Sequence, residues 1–181
     1  MSLSVIHPVA LAEMTALALS CPPGAQVEVG VYRGGSAIEL MAVAREQDRA
    51  LYLYDTFTGL PCYDPDMGDA MRPGDFADTS VDDVRELLPD AIIMQGLFPD
   101  TLSGDPEQVA FAHIDADQYR SIRDAIAAIW PRVVPGGMML FDDYNCLDGA
   151  TRAVHEAFGP DLPRTASGKA YAIKGRYDLA S

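Results

Sequence analysis

Apolar residues along the chain fall into two patterns: short unbroken runs, and stripes spaced three or four residues apart. The runs are QVEVG (26–30), LYLY (51–54), AIIMQ (91–95), AFAHI (110–114) and MMLF (138–141), each of strand length. Helical segments separate them. An Ala- and Leu-rich opening helix runs from Val9 to Ser20, and a second is predicted from Ala37 to Arg45. Ser80 with Asp83 three residues on forms a capping box for a third, Val81 to Leu88. Ile122, Ile126, Ile129 and Trp130 then make one stripe of a 3.6-residue period, and Ala153, Val154, Ala157 and Phe158 mark the buried face of a helix over 150–158. Strands alternating with helices predict an α/β fold with a largely parallel sheet. Pro135-Gly136-Gly137 is expected to turn the chain into the MMLF strand, and Thr165 to Lys174 reads as a closing β-hairpin. The opening helix is apolar on most sides, so the sheet or a second subunit must cover it. No repeat or linker interrupts the pattern, and 181 residues suffice for one full core. Residues 1–181 therefore read as a single domain.

Two of the runs end in acids. AFAHI stops at Asp115 and Asp117, and MMLF stops at Asp142 and Asp143, with the Ile122 stripe as the crossover between them. A βαβ unit makes its strands parallel and close, so both acid pairs emerge at one carboxyl edge of the sheet, where open α/β folds place their ligands. Acids gathered there repel one another unless a cation sits among them. A lone Asp after a strand commonly starts a turn or caps a helix; two acid pairs sharing one crossover point to a metal or cofactor role.

The first run leads straight into VYRGGSA and a helix, the arrangement of a nucleotide-cofactor site. Gly30, Gly34 and Gly35 let the backbone pass close to a ligand. The spacing is neither the dinucleotide G-x-G-x-x-G nor a phosphate P-loop, which needs a Lys. Glu28 instead places an acid inside the strand end, suited to an ammonium group. Ser36, among the free amides of the helix start, suits a carboxylate. Asp55 closes the second run, where this architecture holds a ribose diol. An amino acid joined to a ribose is S-adenosylmethionine rather than NAD. Leu97 and Phe98, in GLFPDT, are placed either to flank an adenine ring or to pack in the core.

Composition narrows the partners. Lys plus Arg number 13 against 27 acids, a net charge of −14, which disfavours nucleic acid and an anionic membrane surface. The three cysteines, Cys21, Cys62 and Cys146, have no C-x-x-C spacing and read as reduced thiols of a cytoplasmic protein. No Lys or Arg precedes Arg33, so the charged start of a signal peptide is missing, and the Val9–Leu19 run is too short to span a bilayer. Residues 62–79 have no periodicity and are dense in Asp, Gly, Pro and Met, the composition of a lid or binding loop. His113 lies mid-strand and reads as a hydrogen-bonded core residue rather than a ligand.

The motifs VEVGVYRGGSA, LYLYDTFTGLP, GDFADTSVDDVRELL, GLFPDTL, HIDADQYRS, PRVVPGGMMLFDDY and ATRAVHEAF resemble the macrocin O-methyltransferase family over most of the chain. Catechol O-methyltransferase is similar more distantly, in the E-x-G-x-Y-x-G-x-S-A turn and the KAYAIKG segment. The resemblance implies a doubly wound, Rossmann-like class I methyltransferase fold with a mostly parallel seven-stranded sheet, its last strand antiparallel. It implies Mg²⁺ held by Asp115, Asp142 and Asp143. It also implies S-adenosylmethionine held by Glu28, the Gly30 turn with Tyr32 and Gly34, Ser36, Asp55 with Thr56, Phe98 and Asp115. The expected activity is methyl transfer to a hydroxyl of a small molecule, a vicinal diol of a sugar above all.

One departure concerns the base. Where the catechol enzyme has a lysine three residues after its first metal-binding acid, this chain has Gln118, and its lysines, Lys169 and Lys174, fall in the far hairpin. Asp117 is the candidate base, with Asp115 beside it in the catalytic set; a helix cap is the structural alternative for Asp117. Two rival classes are a metal-dependent phosphatase, suggested by D-x-D plus a later acid pair, and a non-catalytic S-adenosylmethionine-binding module. Tyr119 stands where the phosphatase pattern needs Thr, and the D-x-D comes late in the chain.

Overall fold

The computed structural model describes residues 6–179. In chain order the elements are α1 (Pro8–Ser20), β1 (Ala25–Val29), α2 (Gly35–Glu46), β2 (Leu51–Asp55), α3 (Val81–Leu87), β3 (Ile92–Gln95), β4 (Val109–Ile114), α4 (Tyr119–Ile129), β5 (Val133–Phe141), α5 (Asp148–Phe158) and β6 (Ala170–Ile173). The strands lie in the order β3-β2-β1-β4-β5-β6, all parallel except β6, which runs antiparallel to β5.

Every residue of β4 is buried, because helices cover both faces of the sheet. Met14 and Ala18 of α1 pack with Leu40, Met41 and Ala44 of α2 on one face. Ile122, Ile126 and Ile129 of α4 pack with Ala153 and Val154 of α5 on the other. One face of the opening helix is thus covered within its own chain, while Val9 and Leu19 stay exposed. Trp130 meets Phe158 edge to face at 4.8 Å, tying the end of α4 to α5. No helix among the described residues is long and apolar enough to cross a membrane.

Two expectations need correction. The described sheet has six strands rather than seven. The first arm of the expected closing hairpin is a single bridge, Arg164 to Ala170, and only β6 joins the sheet. Pro160 and Pro163 precede that bridge, and proline has no N–H to give a ladder. Second, Pro135-Gly136-Gly137 lies inside β5 rather than before it. The register jumps there, from Val109↔Val133 to Phe111↔Met138, so the segment is a bulge. Gly136 takes a φ of 81°, and a Cβ on Gly137 would sit 2.7 Å from the Ala110 carbonyl oxygen. The loop over 62–79 packs onto the domain, and its Phe76 lines the cleft. Its buried Asp69 accepts hydrogen bonds from the Asp64 N–H at 2.9 Å and the Tyr119 N–H at 2.7 Å, capping α4. The Gly149 N–H donates to the Gly68 carbonyl, and the Gln118 amide pairs with the backbone of Cys62.

The chain winds outward from β1 through β2 to β3, then returns to β4 on the other side of β1. The crevice at the carboxyl ends of β1 and β4 is therefore the switch point of the sheet, where this architecture binds ligands.

Candidate active site

Register brings the acids together. Ile114 pairs with Phe141, so Asp115 and Asp142 follow at adjacent strand ends, and the Asp142 N–H donates to the Ile114 carbonyl at 3.0 Å. Asp143 is buried, and one oxygen each from Asp115, Asp142 and Asp143 lies within 4.8 Å of the others. Asp117 takes a left-handed φ of 57° and donates its N–H to Asp143 Oδ2 at 2.9 Å. That contact folds Asp117 over the group.

The charges are unequal. Burial and the charges of Asp143 and Asp142 push Asp115 well above the usual carboxylate range. The same causes push Asp117 up to about 8. Asp143 rises to about 6, through burial and the charge of Asp142. Asp142 goes the other way. Burial works against its charge, yet His113 and Lys169 hold it below the normal range. Lys169 Nζ lies 2.9 Å from Asp142 Oδ2 and also donates to the Asp142 carbonyl. His113 Nε2 lies 3.8 Å from Asp142 Oδ1. Burial would lower the His113 pKa, but the neighbouring Asp142 carboxylate, the bond to Glu28 and the charges of Glu28 and Asp115 raise it to about 10.

A hard divalent cation fits this donor set. Ligand oxygens around Mg²⁺ sit at about 2.1 Å from the ion, hence about 3–4 Å from one another. The three carboxylates need only a small contraction to reach that, and a cation would relieve the repulsion that raises two of them.

The turn after β1 makes the other wall. Gly30 has a φ of 90°, and a Cβ there would lie 1.7 Å from the Asp115 carbonyl oxygen, so only glycine lets β1 and β4 close. Asp55 Oδ2 accepts from the Val31 and Tyr32 N–H groups at 2.7 and 2.8 Å, and Oδ1 from the Phe57 N–H at 2.7 Å. A carboxylate has about four acceptor positions, so capacity remains for a hydroxyl. Phe98 stacks edge to face on Tyr54 at 5.0 Å.

Between the walls lies an open cleft with about 960 Å³ of atom-free space, solvent mouth included. Of the residues predicted from sequence, Gly30, Tyr32, Asp55, Thr56, Phe98, Asp115, Asp117, Asp142 and Asp143 line it. Glu28, Gly34 and Ser36 do not. Glu28 is wholly buried and accepts from His113 Nδ1 at 2.8 Å. Gly34 is the left-handed residue before α2, and Ser36 is buried in its first turn. Phe76, from the loop over 62–79, also lines the cleft, as do Leu60, Pro61 and Ser121, to which no sequence motif assigns a role in the site. Lys169, in the far hairpin by sequence, reaches the site. The antiparallel pairing of Phe141 with Ala170 puts it beside Asp142, a signal present once KAYAIKG is aligned against MMLFDD.

A profile of the macrocin-O-methyltransferase (TylF) family matches residues 13–159. The chain belongs to the macrocin-O-methyltransferase family. Among its relatives, the 8-demethyl-8-(2,3-dimethoxy-alpha-L-rhamnosyl)-tetracenomycin-C 4'-O-methyltransferase of Streptomyces olivaceus is 36% identical over 155 residues, 76% of this chain and 59% of that protein. The mycinamicin III 3''-O-methyltransferase of Micromonospora griseorubida is 31% identical over 153 residues, 74% of this chain and 60% of the relative. The chain thus spans about 60% of the length of the curated relatives it matches. The structure of the O-methyltransferase NovP superposes with a TM-score of 0.78 at 24% identity, over 94% of this chain and 81% of NovP. Calicheamicin methyltransferase CalS11 gives 0.77 at 23% identity, over 92% and 78%. Both share the fold described above. Family membership leaves the phosphatase reading without support.

Proposed function

We propose that this member of the macrocin-O-methyltransferase family transfers the methyl group of S-adenosylmethionine to a hydroxyl of a sugar, with Mg²⁺ at the acid cluster. The observation that carries this reading is one cleft with two dissimilar walls, the Gly30–Asp55 wall and the Asp115–Asp142–Asp143 wall. Relatives support the acceptor class: one names a rhamnosyl tetracenomycin, and CalS11 is a TDP-rhamnose 3'-O-methyltransferase. A solved O-methyltransferase of the same fold, TomG from Streptomyces achromogenes, was obtained in complex with S-adenosylmethionine.

In this reading Gly30 and Tyr32 admit the cofactor backbone, Asp55 with Thr56 holds the ribose, and Phe98 packs on the adenine. Asp115 faces the cofactor amino group. Gly34 and Ser36 shape the turn from behind. Asp115, Asp142 and Asp143 would hold Mg²⁺, which supplies Lewis acidity toward a hydroxyl oxygen and a template for a vicinal diol. The acceptor oxygen attacks the sulfonium methyl in line; the C–O bond forms as the C–S bond breaks, and S-adenosylhomocysteine leaves. Asp117 takes the hydroxyl proton. It lines the cleft beside the acids that would hold the metal, kept there by its N–H on Asp143 Oδ2, where a general base must stand.

The test is transfer of a labelled methyl group from S-adenosylmethionine to a panel of glycosides bearing vicinal diols, with Mg²⁺ present. Label in a rhamnoside or similar sugar is the expected result. Tight S-adenosylhomocysteine binding without label in any sugar would overturn the acceptor class.

A further inference from the structure

The register places Glu28 of β1 opposite His113 of β4, and His113 opposite Leu140 of β5, two residues before Asp142. The three polar side chains therefore sit in a row across one face of the sheet. Glu28 and His113 are wholly buried, at 0% and 1% exposure, and neither lines the cleft. His113 Nδ1–H donates to Glu28 Oε1 at 2.8 Å, while Nε2 points at Asp142 Oδ1 from 3.8 Å. Nε2 and Glu28 Oε2 have no hydrogen-bond partner.

A buried ionisable pair is a poor way to stabilise a sheet. Desolvation offsets most of its attraction, and apolar residues of similar size are often as good or better. The neighbours on this face, Leu53 and Leu140, are such residues. An imidazole anchored at one nitrogen and aimed with the other at a carboxylate does something a leucine cannot. It fixes where that carboxylate points.

We propose that Glu28 and His113 are positioning residues for Asp142: Glu28 locks the imidazole ring, and Nε2 sets the orientation of the Asp142 carboxylate toward the shared cation. This rests on the metal reading above, and it moves Glu28 from the cofactor to the metal side of the site. Asp142 is then bonded by Lys169 at Oδ2, at 2.9 Å, and faced by His113 Nε2 at Oδ1, from 3.8 Å. Lone pairs remain on both oxygens for an ion.

Calorimetric titration of the purified protein with Mn²⁺ and, separately, with S-adenosylhomocysteine tests it. His113→Phe and Glu28→Ala should weaken Mn²⁺ binding by roughly 10–100-fold, the usual effect of losing an outer partner of a metal ligand. Affinity for S-adenosylhomocysteine should stay at the parent value. Glu28→Gln keeps an oxygen for Nδ1–H and should recover most of the Mn²⁺ affinity. Unchanged Mn²⁺ binding in His113→Phe would overturn the proposal, as would a loss confined to S-adenosylhomocysteine in Glu28→Gln. A parallel fall of both affinities in a folded variant also counts against it, since general loosening of the sheet edge gives that result. If the truncations do not fold, His113→Gln and Glu28→Gln carry the same comparison, and absence of a Mn²⁺-specific loss in the first overturns it. A parent protein that takes up no Mn²⁺ would defeat the metal reading itself, and this proposal with it.

Discussion

The two walls of the cleft solve the same electrostatic problem differently. On the β1–β2 side, Asp55 has its own donors: three backbone N–H groups converge on its carboxylate at 2.7–2.8 Å. On the β4–β5 side, the acids face chiefly one another, and Asp115, Asp117 and Asp143 are all pushed toward the protonated form. The first wall is complete without a ligand. The second is complete only with protons or a cation. A carboxylate given its own donors is settled by the fold, whereas carboxylates given each other keep a demand for protons or a cation.

Gly30 joins the walls, and breaking it should have the largest effect. Gly30→Ala forces a Cβ against the Asp115 carbonyl at a positive φ, so β1 and β4 cannot close. The loss should be about 4 kcal/mol or more, in the far tail of single substitutions. Chemical denaturation checks it. A variant with parent stability would mean the switch point is looser than its geometry.

Asp55→Ala comes next. It leaves three amides without their acceptor, at a cost of roughly 2–4 kcal/mol, and removes the proposed ribose contact. Denaturation and S-adenosylhomocysteine calorimetry should both show the loss. Parent-like affinity in the folded variant would take the ribose from Asp55.

Much of this contrast is legible in the sequence. The acids of β4 and β5 stand at strand ends joined by one crossover helix, and local pattern suffices to bring such ends to one edge. At Glu28 the sequence offers only charge complementarity, which points to the cofactor. Its partner His113 is 85 residues away, and alternation gives a side chain's face but not its neighbour. Lys169 reaches Asp142 through antiparallel register, which one pattern of apolar residues does not reveal. Pro-Gly-Gly reads as a turn in most contexts, yet neighbouring strands hold it here as a bulge. The loop over 62–79 has the composition of a lid. What ties it down is a set of long-range polar contacts, Asp69 to Tyr119 above all, that composition does not encode.

A smaller effect separates the walls by pH. Asp143 and Asp117 titrate at about 6 and about 8 in the folded protein, above the value of about 3.9 for an unfolded Asp. The native state then binds more protons than the unfolded state, so stability falls as pH rises from about 4 toward about 8. His113, raised to about 10, adds to the fall in its upper part. In EDTA the thermal midpoint should drop across that window, and added Mg²⁺ should flatten the drop. A midpoint that rises or stays level in EDTA would contradict the repulsion assigned to the second wall.

The claim that this second wall is a metal centre is tested most directly by methyl transfer in three samples: parent with Mg²⁺, parent with EDTA, and Asp142→Asn with Mg²⁺. Asn keeps the shape of Asp142 and removes one charge. Transfer should fall at least about a hundredfold in the second and third samples, since a lost Lewis acid is worth several kcal/mol of charge stabilisation. Transfer that survives EDTA unchanged, with Asp142→Asn matching the parent, would contradict the account and leave Asp115, Asp142 and Asp143 as strand-end caps.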